Sequence, residues 1–155
     1  MMPIETDLRG EQLEILRVLY PWYKEEVFRR REQMMRLTAF ASAFLVLLLV
    51  TIMAVAPSSE ANMTIQLFSI TGIALFSAIF VYLILQQHDR HRIAKQTLIE
   101  MEKILGLYDE GLYSVGKALY PQDWQTAWLS DKSVTVYIAV ITALSVLVIA
   151  AVLVR

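Results

Sequence analysis

Cysteine is absent from all 155 residues, which excludes disulfides and thiolate-held metal or iron–sulfur clusters. Glycine and proline are scarce, at five and four, and neither occurs between Trp22 and Ala56 or between Leu85 and Leu105. Nothing in those two stretches forces a helix to stop. Charge is missing where it would matter most: Leu37–Ala56, Ile65–Leu85 and Val134–Val154 hold no Asp, Glu, Lys or Arg. Proton relays, voltage sensors and most ion-coupled transporters need ionisable groups at membrane depth, so those classes are excluded. No Ser–His–acid constellation occurs. Gly106, Gly111 and Gly116 lack the following Lys-Ser/Thr of a phosphate-cradling loop. The expectation is a protein that is not an enzyme and carries no cofactor.

What is present is apolar. Hydrophobic residues make up 57% of the chain and mean hydropathy is +0.51, too high for an ordinary water-soluble domain. The excess lies in the three uncharged blocks, each long enough to cross a hydrocarbon core of about 30 Å. The fold expected is all-α: an integral membrane protein with transmembrane helices at 37–56, 65–86 and 134–155. An outer loop at 57–64 would make the first two antiparallel neighbours. The first block starts behind a charged segment and has full spanning length, so no cleavable leader is expected.

Basic residues set the orientation. Arg9, Arg17, Lys24, Arg29, Arg30, Arg31 and Arg36 precede the first block, none lies in 57–64, six fall between the second and third blocks, and Arg155 follows the third. The positive-inside rule then places the N-terminus and residues 87–133 in the cytoplasm and the C-terminus outside. The localisation expected is a bacterial inner membrane. Arg29, Arg30, Arg31, Arg36, Arg90 and Arg92 read as topology anchors at lipid headgroups. Trp22, Trp124 and Trp128 read as interfacial aromatics.

The segment 1–36 holds an amphipathic stretch, Leu8–Tyr20, with Thr6 or Asp7 placed to cap it and Pro21 placed to break or kink it. Its expected role is to cover its own protein's helices. The basic stretch that follows carries Glu25–Arg29, Glu26–Arg30 and Glu32–Arg36 at the favourable i,i+4 spacing. Across 93–108, Ile93, Leu98, Met101, Ile104, Leu105 and Tyr108 fall on one apolar arc, while Glu102 and Lys103 fall outside it and Ile99 is the lone apolar exception. Burial of that arc against Trp22–Arg36 predicts an antiparallel cytoplasmic hairpin extending the first two spans, with Met101 and Ile104 in its seam. Leu-Tyr-Pro occurs twice, at Leu19–Pro21 and Leu119–Pro121, each followed by tryptophan. Asp131 or Ser133 is placed to cap the third span. Ala74 and Ala78 beside Gly72, and Ala139 and Ala143, have the spacing of close helix packing.

His88 and His91, at i,i+3 beside Asp89, are the only candidate metal ligands, and they lack a third ligand at matching spacing. The expected partners are the lipid bilayer and either further copies of this chain or a larger membrane complex, with no nucleic acid and no small-molecule substrate. The layout of Trp22–Tyr108, a basic helix leading into a two-span hairpin and then a cytoplasmic helix, resembles that of the SLATT-type bacterial effectors. The resemblance covers about half of the chain and implies no functional residue; the third span departs from it. Two functions follow. One is an oligomerising or accessory scaffold subunit of a membrane complex. The other is a SLATT-like pore lined by Ser42, Thr51, Ser69, Thr71, Ser77, Thr142 or Ser145.

Overall fold

The computed structural model describes residues 4–54, 63–127 and 132–154. It is all-helical: α1 Ile4–Ala54, α2 Met63–Ile104, α3 Trp124–Ala127 and α4 Ser133–Val154. Three of these helices (α1, α2 and α4) are long and apolar enough to cross a membrane. Most of the 57–64 loop, together with Trp128, Asp131 and Arg155, lies outside the described residues.

α1 runs through two expected boundaries. Thr6 and Asp7 lie within it rather than capping it, and Pro21 sits inside it without ending it. Proline removes one donor from a helix, here the amide that would bond the Arg17 carbonyl. In a helix of 51 residues that single loss is outweighed by the bonds on either side. Leu8–Tyr20 is therefore the first part of α1 and not a separate covering helix.

The chain divides into two units. One comprises Met1–Arg31 with Asp89–Asp131, and the other Glu32–His88 with Lys132–Arg155. Of the 29 charged residues, only Glu32, Arg36, Glu60, Lys132 and Arg155 belong to the second, which we call the apolar unit; the other 24 belong to the charged unit.

In the apolar unit, α1, α2 and α4 share one core of Met34, Ala41, Leu45, Ile73, Ile84, Val134, Ile141 and Val148. The seven-residue steps Val134–Ile141–Val148 keep one stripe of α4 facing its neighbours. Phe40 stacks on Phe80 at 5.8 Å and Phe44 meets Phe76 at 4.6 Å, so α1 and α2 are antiparallel here. Ser77 on α2 and Ser145 on α4 are hydrogen-bonded at 2.6 Å. The outward faces are also apolar: Phe40, Leu47, Phe68, Tyr82 and Val146 are exposed. No more than 17% of the most apolar window of any of these helices is buried. A helix apolar all round belongs in a protein core or in lipid, and these have no protein around their outer faces among the described residues.

In the charged unit, Val27 of α1 packs against Ala94 and Leu98 of α2, with Tyr20 and Tyr23 alongside. Contacts of Val27 with His91 and of Tyr20 with Glu102 show that α1 and α2 are antiparallel here too. The three i,i+4 pairs form, Arg29–Glu25 at 3.0 Å, Arg30–Glu26 at 2.5 Å and, in the apolar unit, Arg36–Glu32 at 2.7 Å.

The buried face of α2 differs from the expected arc. Leu98, Met101 and Tyr108 are buried and Leu105 is half-buried, but Ile93 and Ile104 are 63% and 65% exposed. His91, Ala94, Ile99 and Glu102 are buried instead. Within α2, which ends at Ile104, the buried positions His91, Ala94, Leu98, Ile99, Met101 and Glu102 form a face rotated by about 80° from the centre of the expected arc, taking about 100° per residue. Ile93 and Ile104 stand at the far edge of that arc and are left outside the contact. Leu105 and Tyr108 lie beyond the end of the helix, where a helical wheel no longer places them.

α2 ends in a Schellman turn. Leu107 N–H donates to the Glu102 carbonyl and Gly106 N–H to that of Lys103, both at 3.0 Å. Gly106 has φ +67°, so the backbone favours glycine there; a Cβ would lie 2.5 Å from Leu112 Cδ2, the end of an exposed side chain that can swing away. The chain then turns back, with Tyr120 N–H donating to the Leu107 carbonyl at 2.9 Å.

Candidate functional site

The polar centre of the charged unit is Glu102. The residue is only 9% exposed, although charged residues are rarely buried without a partner. The partners are tyrosines. Tyr108 O–H donates to Oε2 across a short contact, and Tyr20 O–H lies 3.3 Å from Oε1. The Tyr20 and Tyr120 hydroxyls are 3.2 Å apart. These two are the tyrosines of the repeated Leu-Tyr-Pro, so the repeat supplies two hydroxyls to one network.

Each partner is positioned by a different part of the chain. Tyr20 comes from α1 one residue before Pro21. Glu102 is in the last turn of α2. Tyr108 follows the Schellman turn, and Tyr120 is brought back by its amide bond to Leu107. Burial, with hydrogen bonds to Tyr120 and Glu102, pushes the Tyr20 phenol well above its ordinary range. Burial and Glu102 do the same for Tyr108. Both phenols therefore stay protonated donors at neutral pH.

Aromatic rings continue outward from this centre. Tyr108 meets Tyr120 at 6.1 Å, and Tyr120 meets Trp124 at 5.5 Å. A cavity of about 220 Å³ lies over Glu102, Tyr108, Tyr120 and Trp124 and reaches Phe28 and Lys24. Among the described residues Glu102 has no ion pair.

The other sequence-selected residues are dispersed. His91 is buried, its Nδ1–H donating to the Val27 carbonyl at 3.1 Å, and His88 is half-buried. No group of three His, Asp or Glu that could hold a metal forms among the described residues. Arg31, Arg90 and Arg92 are exposed, while Arg29 and Arg30 are tied to Glu25 and Glu26. Trp22 is exposed with its ring edge-on to Tyr23, and Trp124 is partly covered by Tyr120. Of the hydroxyls proposed for a pore, Ser77 and Ser145 are engaged with each other and Thr51 donates to the Leu47 carbonyl. Ala74, Ala78, Ala139 and Ala143 are exposed and make no part of the internal core.

Sequence reasoning missed Glu102 and Tyr20. Glu102 was placed on the solvent side of the wheel, and its partners lie 82 residues before it and 6 after it. The readable signal was the repeated Leu-Tyr-Pro.

No protein-family model matches the sequence, and no curated protein or solved structure matches it significantly.

Proposed function

We propose that this chain is a non-enzymatic integral membrane protein that works as an oligomerising or accessory subunit of a membrane complex. Its apolar unit spans the bilayer as three helices, and its charged unit and N-terminus face the cytoplasm of a bacterial cell, with the C-terminus outside. The uncharged blocks support the spanning, and the distribution of Lys and Arg supports the orientation.

One observation carries the subunit reading. The charged unit, which holds 24 charged residues and so belongs in water, still exposes Leu13, Ile15, Val18, Ile93 and Ile104. Leu13, Ile15, Leu16 and Ile104 line one groove of about 550 Å³. Apolar side chains clustered on a water-facing surface are the usual mark of a protein contact.

Native mass spectrometry after mild extraction from the source membrane tests this. A defined multimer, or this chain with a second protein, is expected. Recovery as monomer alone, with in-membrane cross-linking equally blank, overturns the reading.

A further inference from the structure

We propose that the charged unit holds a binding site for a small alkylated ammonium ion, in the cavity floored by Glu102 and walled by aromatic rings. The floor is buried: Glu102 is 9% exposed, and Leu98 and Tyr108 are 4% exposed. The rim is open, with Phe28 56% and Trp124 42% exposed. Charge therefore sits at depth beneath an accessible aromatic mouth.

Three properties select the ligand. A carboxylate buried without a countercation is costly, and two tyrosine hydroxyls spread its charge without cancelling it. A monovalent cation supplies what is missing. Phe28, Tyr120 and Trp124 line the same cavity, and aromatic rings attract cations through the ring quadrupole. Oxygen acceptors are confined to Glu102 and the tyrosine hydroxyls, so N–H groups of a primary ammonium turned towards the rings would go unpaired, whereas a methylated nitrogen has none to satisfy. The volume of about 220 Å³ is below the roughly 300–1,000 Å³ of pockets for drug-sized molecules, so the ligand is compact. Lys24 borders the same cavity and has no ion pair among the described residues, which makes its ammonium an internal competitor.

The test is calorimetric titration of the full chain in maltoside micelles with choline chloride, at ionic strength held constant with sodium chloride. Choline is expected to bind saturably, and its neutral isostere 3,3-dimethylbutan-1-ol at least about tenfold more weakly. Glu102→Gln, which preserves shape, should weaken choline by about tenfold or more, and Trp124→Leu by severalfold. Lys24→Gln should tighten it. Trp124 is 42% exposed and Lys24 makes no ion pair among the described residues, so these two variants and the neutral isostere keep the proposal testable if Glu102→Gln does not fold.

No saturable choline binding by the wild-type chain overturns the site. Equal binding of choline and the neutral isostere reduces it to an apolar cavity and also overturns it, as does loss of choline binding in Lys24→Gln. A second titration, with dihexanoyl phosphatidylcholine, distinguishes the source. Competition with choline assigns a lipid headgroup, and its absence assigns a free ammonium. Monomeric protein that binds choline would overturn the subunit reading and leave this site standing.

Discussion

The charged unit and the apolar unit are built from the same two long helices, packed antiparallel in both, yet they expose opposite surfaces. In the charged unit a narrow seam is buried and the rest of each helix is mostly polar. In the apolar unit a similarly narrow seam is buried and the rest is apolar. One packing geometry therefore underlies two kinds of surface. With the apolar unit in the bilayer, as proposed above, the driving forces differ: water expels the seam of the charged unit, whereas lipid tails are as apolar as the other seam and leave only packing and hydrogen bonds to hold it.

The largest effect expected from this comparison comes from matched leucines. Leu98 is 4% exposed in the charged unit and Leu45 fully buried in the apolar one. Leu98→Ala should cost about 2–5 kcal/mol, since both transfer and cavity terms are lost. Leu45→Ala should cost less than half of that, because lipid removes the transfer term. Unfolding in mixed micelles, read by a reporter in each unit, measures both. Equal costs would mean that the two units face the same solvent.

Exposed positions reverse the order. Leu47→Asp in the apolar unit should impair membrane insertion by about 3 kcal/mol, the cost of an aspartate at the centre of a spanning helix. Val18→Asp, at a 75% exposed site of the charged unit, should leave insertion and fold unchanged. The fraction of each variant resisting alkaline extraction reads this directly. Normal insertion of Leu47→Asp would take that face out of the hydrocarbon.

How much of this was legible depends on whether a property is summed along the chain or set by geometry. The three apolar helices were legible because transfer free energy adds over composition, and no single residue of Leu37–Ala56 or Val134–Val154 decides it. The seam was legible only in part. Leu98, Met101 and Tyr108 fall in the arc that the sequence marks, but so do Ile93 and Ile104, because apolarity alone sets that arc, whereas the buried face turns towards Ile99 and the Glu102 network. Pro21 misled because a local breaker was weighed without the length of the helix around it. Glu102 escaped since a charged side chain is assigned to water unless its partners are known. Here those partners are tyrosines that only the folded chain brings together. Of the candidate site, the repeated Leu-Tyr-Pro was noticed in the sequence, and its meaning, two hydroxyls meeting beside one carboxylate, was not.

Glycine sharpens the comparison at a smaller scale. Gly106→Ala must hold an L side chain at φ +67°, so it should destabilise the charged unit by about 1–3 kcal/mol, while the 2.5 Å approach to Leu112 Cδ2 is relieved by movement of that exposed side chain. Gly72→Ala in the apolar unit meets nothing within 4 Å, and helix propensity favours alanine by about 1 kcal/mol. It should be neutral or stabilising in an isolated chain. Loss of multimer by Gly72→Ala without loss of fold would place that face of α2 in a contact between subunits.

The smallest effect concerns the hydrogen bonds that join elements within each unit. Ser77 and Ser145 each lie within bonding distance of the carbonyl four residues earlier, 2.8 Å to Ile73 and 2.7 Å to Ile141, as well as of each other. Each hydroxyl has one proton, so when one serine donates across to its partner, the partner donates to its own helix. Ser77→Ala leaves Ser145 satisfied by the Ile141 carbonyl. The loss should be about 0.6 kcal/mol, the average for hydrogen bonds between spanning helices, because an unfolded chain in lipid also finds partners for its hydroxyls. Tyr20→Phe in the charged unit should cost more, about 1–2 kcal/mol, because it removes a donor from the buried Glu102 and a partner from Tyr120. Measured side by side in mixed micelles, the two values rank the units by what supports them. Should Ser77→Ala prove the costlier change, hydrogen bonding would outweigh packing in the apolar unit, and the contrast drawn between the two seams would fail.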